Sequence, residues 1–138
     1  MNPGLGRMAA RGAAVFCLAF AVFQVALALG APYGQMAWGG ASPPVLPDNL
    51  RAASAGAAVY LVLAAAAMLV RAGDIGQRLP GRLFWVLNLV LALQLALNTL
   101  ANLAAQGFIE RYGMGVASLM GCLLCLVALT AKPRPAAG

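Results

Sequence analysis

Four long apolar runs constrain this chain more than any other feature. They cover roughly residues 8–30, 52–71, 82–106 and 112–131. Each reaches the roughly 20 residues that an α-helix needs to cross a bilayer core. Of the 138 residues, 63% are hydrophobic and only 9% are charged. A water-soluble domain of this length cannot hide that much apolar surface. The runs are continuous, not alternating, which excludes a transmembrane barrel. Short connections between such helices predict one compact bundle. The expected fold is all-α, an integral membrane four-helix bundle. It forms a single domain over residues 1–138, with a first loop at 31–51 and a basic, proline-rich, disordered tail at 132–138.

The formal net charge is +6. A nucleic-acid binder would gather its bases into a patch; here they bracket the apolar runs instead. Arg7, Arg11, Arg71, Arg78, Arg82, Lys132 and Arg134 fall at one set of helix ends, and Arg51 and Arg111 at the other. That asymmetry of seven against two predicts both termini in the cytoplasm and the first loop on the opposite face. The expected partner is the lipid bilayer, with a larger membrane complex or a homo-oligomer as a further possibility and no nucleic acid. The first run exceeds the roughly 7–15 residues of a signal-peptide core and reads as a retained helix.

The first loop concentrates special backbone chemistry. Pro32, Pro43, Pro44 and Pro47 forbid a regular helix through it, and Gly34, Gly39 and Gly40 permit tight turns. Tyr33 and Trp38 are amphipathic rings suited to the headgroup level. These residues predict a structured cap. In the third run Gln94, Asn98, Asn102 and Gln106 recur every four residues, with Asn88 at the edge of the same face. At 100° per residue they occupy about a third of the helix circumference. Carboxamides in hydrocarbon lack partners, so this stripe is expected to meet a neighbouring helix, itself or water. Gln24 in the first run is expected to point inward for the same reason.

The predicted orientation brings Asn98, Asn102 and Gln106 level with the first loop, Arg51, Glu110 and Arg111. Glu110 is one of three acids and is expected to pair with Arg51 or Arg111. The candidate ligand- or partner-binding residues are Pro32, Tyr33, Gly34, Trp38, Gly39, Gly40, Arg51, Asn98, Asn102, Gln106, Glu110 and Arg111. A plainer reading makes the amides interhelical glue, worth about 0.6 kcal/mol each, and the ion pair a fixture of helix ends. Asp48 or Asn49 is expected to cap the second helix and Arg71 to close it. Small-residue seams at Ala9, Ala13, Cys17 and Ala21, and at Gly113, Ala117, Gly121 and Cys125, are expected to face neighbouring helices.

The inventory excludes much chemistry. The chain contains no histidine, which removes the usual zinc, copper and histidine-ligated haem sites. No Ser-His-Asp set is possible. No cofactor or catalytic residue is expected. Cys122 and Cys125 form a C-x-x-C in a four-helix chain, an arrangement similar to the vitamin K epoxide reductases. The pair lies about 15–20 Å below the predicted outer surface at 1.5 Å per residue, and no second pair stands in the first loop. Packing is the main reading of these thiols and a thiol-redox enzyme the third functional one. The small multidrug-resistance transporters resemble this chain in size, but their coupling carboxylate deep in the first helix has no counterpart here. A small oligomeric transporter or channel is the second reading.

The residues of the first loop also resemble a family of uncharacterised small four-helix bacterial inner-membrane proteins. The shared pattern is Gly30, Pro32 and Gly34, then Trp38-Gly39-Gly40, Leu46-Pro47, Arg51 and Ser54, followed by Asn98, Ala101, Asn102 and Glu110-Arg111-Tyr112. The resemblance implies the same topology and singles out the outer face; it implies no activity. The leading expectation is a non-catalytic subunit, or an interaction or ligand-binding protein, acting at that face.

Overall fold

A computed structural model of the chain describes residues 3–131. The expected disordered tail at 132–138 lies outside the described residues. Among these residues every regular element is helical, with no strand, and four long helices pack as one bundle. They are α1 (Pro3–Ala28), α2 (Asp48–Ala72), α3 (Gly81–Ala104) and α4 (Gly115–Ala128). A π-helical turn at Ile109–Met114 runs into α4 and extends it to a 20-residue rod. All four rods are long and apolar enough to cross a membrane. At one end of the bundle lies the α1–α2 loop, which contains a 3₁₀ turn at Gly34–Met36; we call this the lid end. The other end carries the start of α1 and the end of α4.

Small residues set how closely the rods approach. The predicted α1 seam is buried over its whole length at Ala9, Ala13, Cys17 and Ala21. It meets Ala65 and Met68 of α2, Leu91, Ala92 and Leu95 of α3, and Cys122 and Cys125 of α4 in one mid-bundle core. A second cluster of Ala9, Ala10, Ala72 and Ala128 closes the end near the termini. Leu27, Ala37 and Leu46 anchor the loop at the lid end, with Phe23 and Leu50 against them. Small side chains let helix backbones approach closely and gain dispersion contacts, and alanine and cysteine make up most of the first two clusters.

The predicted α4 seam is buried at Gly121 and Cys125, half-buried at Ala117 and exposed at Gly113. The buried face also takes in Gly115, Ser118, Cys122 and Ala128. Gly113 lies inside the π-helical turn, whose wider winding takes it off the face that the seam follows in α4. Helix α3 also ends two residues early, at Ala104, which leaves Gln106 exposed in the connection and outside the amide stripe.

Three arginines finish helix ends. Arg51 Nε donates to the Ala28 carbonyl at the close of α1 (2.9 Å). Arg111 Nε donates to the Leu103 carbonyl at the close of α3 (2.9 Å). Arg71, buried, reaches from α2 to the end of α4 and donates through one nitrogen to the carbonyls of Ala128, Leu129 and Ala131 (3.2, 3.3 and 2.7 Å). The last carbonyls of a helix lack internal partners and carry partial negative charge, so a guanidinium satisfies both needs. Arg71 therefore closes α4 as well as its own helix. Pro47, not Asp48 or Asn49, occupies the N-cap of α2, and no side chain caps that start. Near the termini, Arg11 grips Asp74 with two hydrogen bonds of 2.8 and 2.6 Å.

Candidate functional site

The α1–α2 loop folds down as a lid. Trp38, Gly39 and Gly40 follow one another with positive φ, at 57°, 94° and 71°. Glycine adopts that region freely, but for tryptophan it is strained by about 1–2 kcal/mol. Two bonds hold the strained turn down. Trp38 Nε1 donates to Ser54 Oγ of α2 (3.1 Å), and the hydroxyl's residue is fully buried. Gly39 N–H donates to Glu110 Oε1 in the π-helical turn (2.8 Å). Gly34 is buried and ties the loop to itself through its N–H and the Pro44 carbonyl (2.7 Å).

Beneath the lid lies a cavity of about 390 Å³. Met36, Ala37, Trp38 and Gly39 form its roof. Phe16, Phe20 and Gln24 line it from α1, and the two phenyl rings stack at 4.6 Å. Helix α2 contributes Ala57, Tyr60 and Leu61. Helix α3 contributes Leu91, Gln94, Leu95, Asn98, Ala101 and Asn102. Glu110, Met114 and Ser118 complete the wall. Helix α1 packs most extensively against α2, while α2 and α3 touch least among the neighbouring pairs. The lid-end halves of α2 and α3 both line the cavity.

The amide stripe points into this space. Asn102 Nδ2 donates to Ser118 Oγ (3.1 Å), which ties α3 to α4 at the wall. Asn98 and Gln94 line the cavity and remain exposed within it. Asn88, at 0% exposure, lies outside the lining, and neither polar atom of its side chain has a hydrogen-bond partner among the described residues. The cavity therefore stops at the level of Leu91.

Glu110 differs from expectation in its partners. Arg51 and Arg111 are committed to carbonyls, and Arg51 adds a long 3.5 Å contact to exposed Asp48. Glu110 is 4% exposed and pairs with neither arginine. Its Oε2 has no hydrogen-bond partner among the described residues, and a Cβ on Gly40 would sit 2.7 Å from it. Each guanidinium instead satisfies a carbonyl at the close of the preceding helix, Ala28 of α1 for Arg51 and Leu103 of α3 for Arg111, where carbonyls lack internal partners.

Of the twelve predicted site residues, Trp38, Gly39, Asn98, Asn102 and Glu110 line the cavity. Gly40 backs the Glu110 carboxylate. Gly34 shapes the lid, and Pro32 and Tyr33 lie exposed on the loop outside the cavity lining. Arg51 and Arg111 fasten helix ends, and Gln106 stands apart. Sequence reading did not assign Tyr60, Ser118, Phe16 or Phe20 to the site. The signal for Tyr60 and Ser118 was present, since each is a polar group in an otherwise apolar helix. The phenylalanines carried none. Cys17, Cys122 and Cys125 are free thiols buried in the core, and Cys122 Sγ donates to the Ala92 carbonyl at 3.4 Å.

The class this geometry defines is a small bundle of membrane-length helices with a lidded, part-polar internal cavity. Compared with protein-family models, curated proteins and solved structures, the chain matches none.

Proposed function

We propose that this is a multi-pass membrane protein that binds a small ligand in the cavity under its lid. Both termini lie in the cytoplasm and the lid faces outward, as the seven-to-two distribution of bases supports. The resemblance of the loop motif supports a bacterial inner membrane as the setting. The observation that carries the reading is the lid itself. A strained Trp-Gly-Gly turn is held by two specific bonds over a cavity of about 390 Å³. That volume falls in the range of small-molecule sites, roughly 300–1,000 Å³, which combine apolar walls with a few placed polar groups. Backbone strain concentrates at such sites because the surrounding structure must hold it. Interhelical glue alone would leave the amides packed against a partner, yet Asn98 and Gln94 are exposed to open space.

A continuous pathway is less well supported, because the cavity stops above the wholly buried Asn88. The test is purification in mild detergent followed by native mass spectrometry. The wild-type protein should retain a bound lipid or small molecule. The Ala57→Trp variant, whose indole fills the cavity, should lose it. Identical spectra for both proteins would overturn the reading.

A further inference from the structure

The chemistry of the cavity wall specifies what charge its occupant carries. Among the described lining residues Glu110 is the one charged side chain. Arg51 and Arg111 are engaged with carbonyls, and the carboxylate has no cationic partner among the described residues. A buried carboxylate without a counter-charge is expensive, because low dielectric denies it both water and an ion pair. Gln24 Oε1 is a second buried acceptor with no partner. The remaining wall supplies aromatic faces from Phe16, Phe20, Trp38 and Tyr60, which attract cations through their quadrupoles.

We propose that the cavity binds a lipophilic organic cation, an ammonium with apolar substituents. This rests on the reading of the cavity as a ligand site. A phosphate or carboxylate group is disfavoured, because no base lines the wall. A bare metal ion is disfavoured by size and by ligands. The cavity has room for an organic molecule, and no group of three or more metal-binding side chains exists among the described residues. Gly40 lies against Glu110 Oε2, so the carboxylate acts on an occupant through space. That suits a hindered or quaternary ammonium, which has no N–H to donate.

The test uses the full chain in nanodiscs with Trp85→Phe, which leaves Trp38 as the sole tryptophan. Trp38 emission is titrated with benzyltrimethylammonium and with neopentylbenzene, its uncharged carbon analogue. Both titrations are referenced to partitioning into protein-free discs. The ammonium should bind at least tenfold tighter than the analogue. Glu110→Gln, which keeps an acceptor for Gly39 N–H, should erase that preference, and Ala57→Phe, whose phenyl ring fills the cavity without adding a tryptophan, should abolish binding of both probes. Equal affinities in the Trp85→Phe protein that is otherwise unaltered would overturn the inference. A preference that survives Glu110→Gln would overturn it too. If the analogue binds and Ala57→Phe blocks it without any ammonium preference, the ligand site stands and the cation fails. If neither probe binds, both readings fall.

Discussion

Gly39 and Gly40 are adjacent, both have positive φ, and they differ in what a side chain would meet. A Cβ at Gly39 finds no atom within 4 Å. A Cβ at Gly40 would sit 2.7 Å from Glu110 Oε2 and 3.2 Å from the Gly107 nitrogen. Alanine at either position incurs the left-handed backbone penalty of about 1–2 kcal/mol. Gly40→Ala must also displace the Glu110 carboxylate, and this breaks the bond from Gly39 N–H. A hydrogen bond to a charged group contributes about 1.5–3 kcal/mol. Gly40→Ala should therefore open the lid more than Gly39→Ala by roughly that difference. At 1.4 kcal/mol per decade this is a factor of about 10–150 in the open population.

Hydrogen exchange over residues 33–40 reads this directly, because the amides of Gly34, Met36, Ala37, Gly39 and Gly40 are all bonded in the closed lid. Exchange in the α3 core should stay unchanged in both variants. A double-mutant cycle with Glu110→Ala, which removes both the acceptor and the atom that a Gly40 Cβ would meet, should show non-additivity for Gly40→Ala and none for Gly39→Ala. Equal acceleration by the two alanines, or additive behaviour of Gly40→Ala with Glu110→Ala, would refute the latch.

Further outcomes follow from other contacts. Ser54→Ala should loosen the lid by about 1 kcal/mol through loss of the Trp38 bond, seen as a shift of Trp38 emission in the Trp85→Phe background. Arg71→Leu should lower thermal stability in detergent by about 2–4 kcal/mol, since it orphans carbonyls at the end of α4; a neutral result would refute the capping role. Cys122→Ala and Cys125→Ala should each cost no more than about 1–2 kcal/mol on melting, as small truncations of a close-packed core do, and neither should change ligand retention. Asp74→Asn should reduce stability by at most about 1 kcal/mol, because the pair with Arg11 is half-exposed; the effect should shrink further in high salt.

The number of helices, their lengths within a few residues and the α1 seam could all be read from the sequence. Apolar run length and four-residue spacing of small side chains are local quantities, and lipid leaves the backbone no alternative to internal hydrogen bonding. The inward amides of α3 and the capping character of the Trp-Gly-Gly segment were legible for the same reason, since a polar group in an apolar run must find a polar place. What only the tertiary structure decided was which groups pair. Glu110 stood in the sequence beside Arg111 and level with Arg51, and ion pairing was the natural expectation. The folded chain gave both guanidiniums to helix-end carbonyls and gave the carboxylate a glycine N–H from the lid. The exposure of Gly113 was hidden too, because the π-helical turn that moves it off the seam leaves no residue type to mark it. The cavity was likewise invisible, since its wall is assembled from all four helices and the lid, and a space between elements is a property of no sequence segment alone.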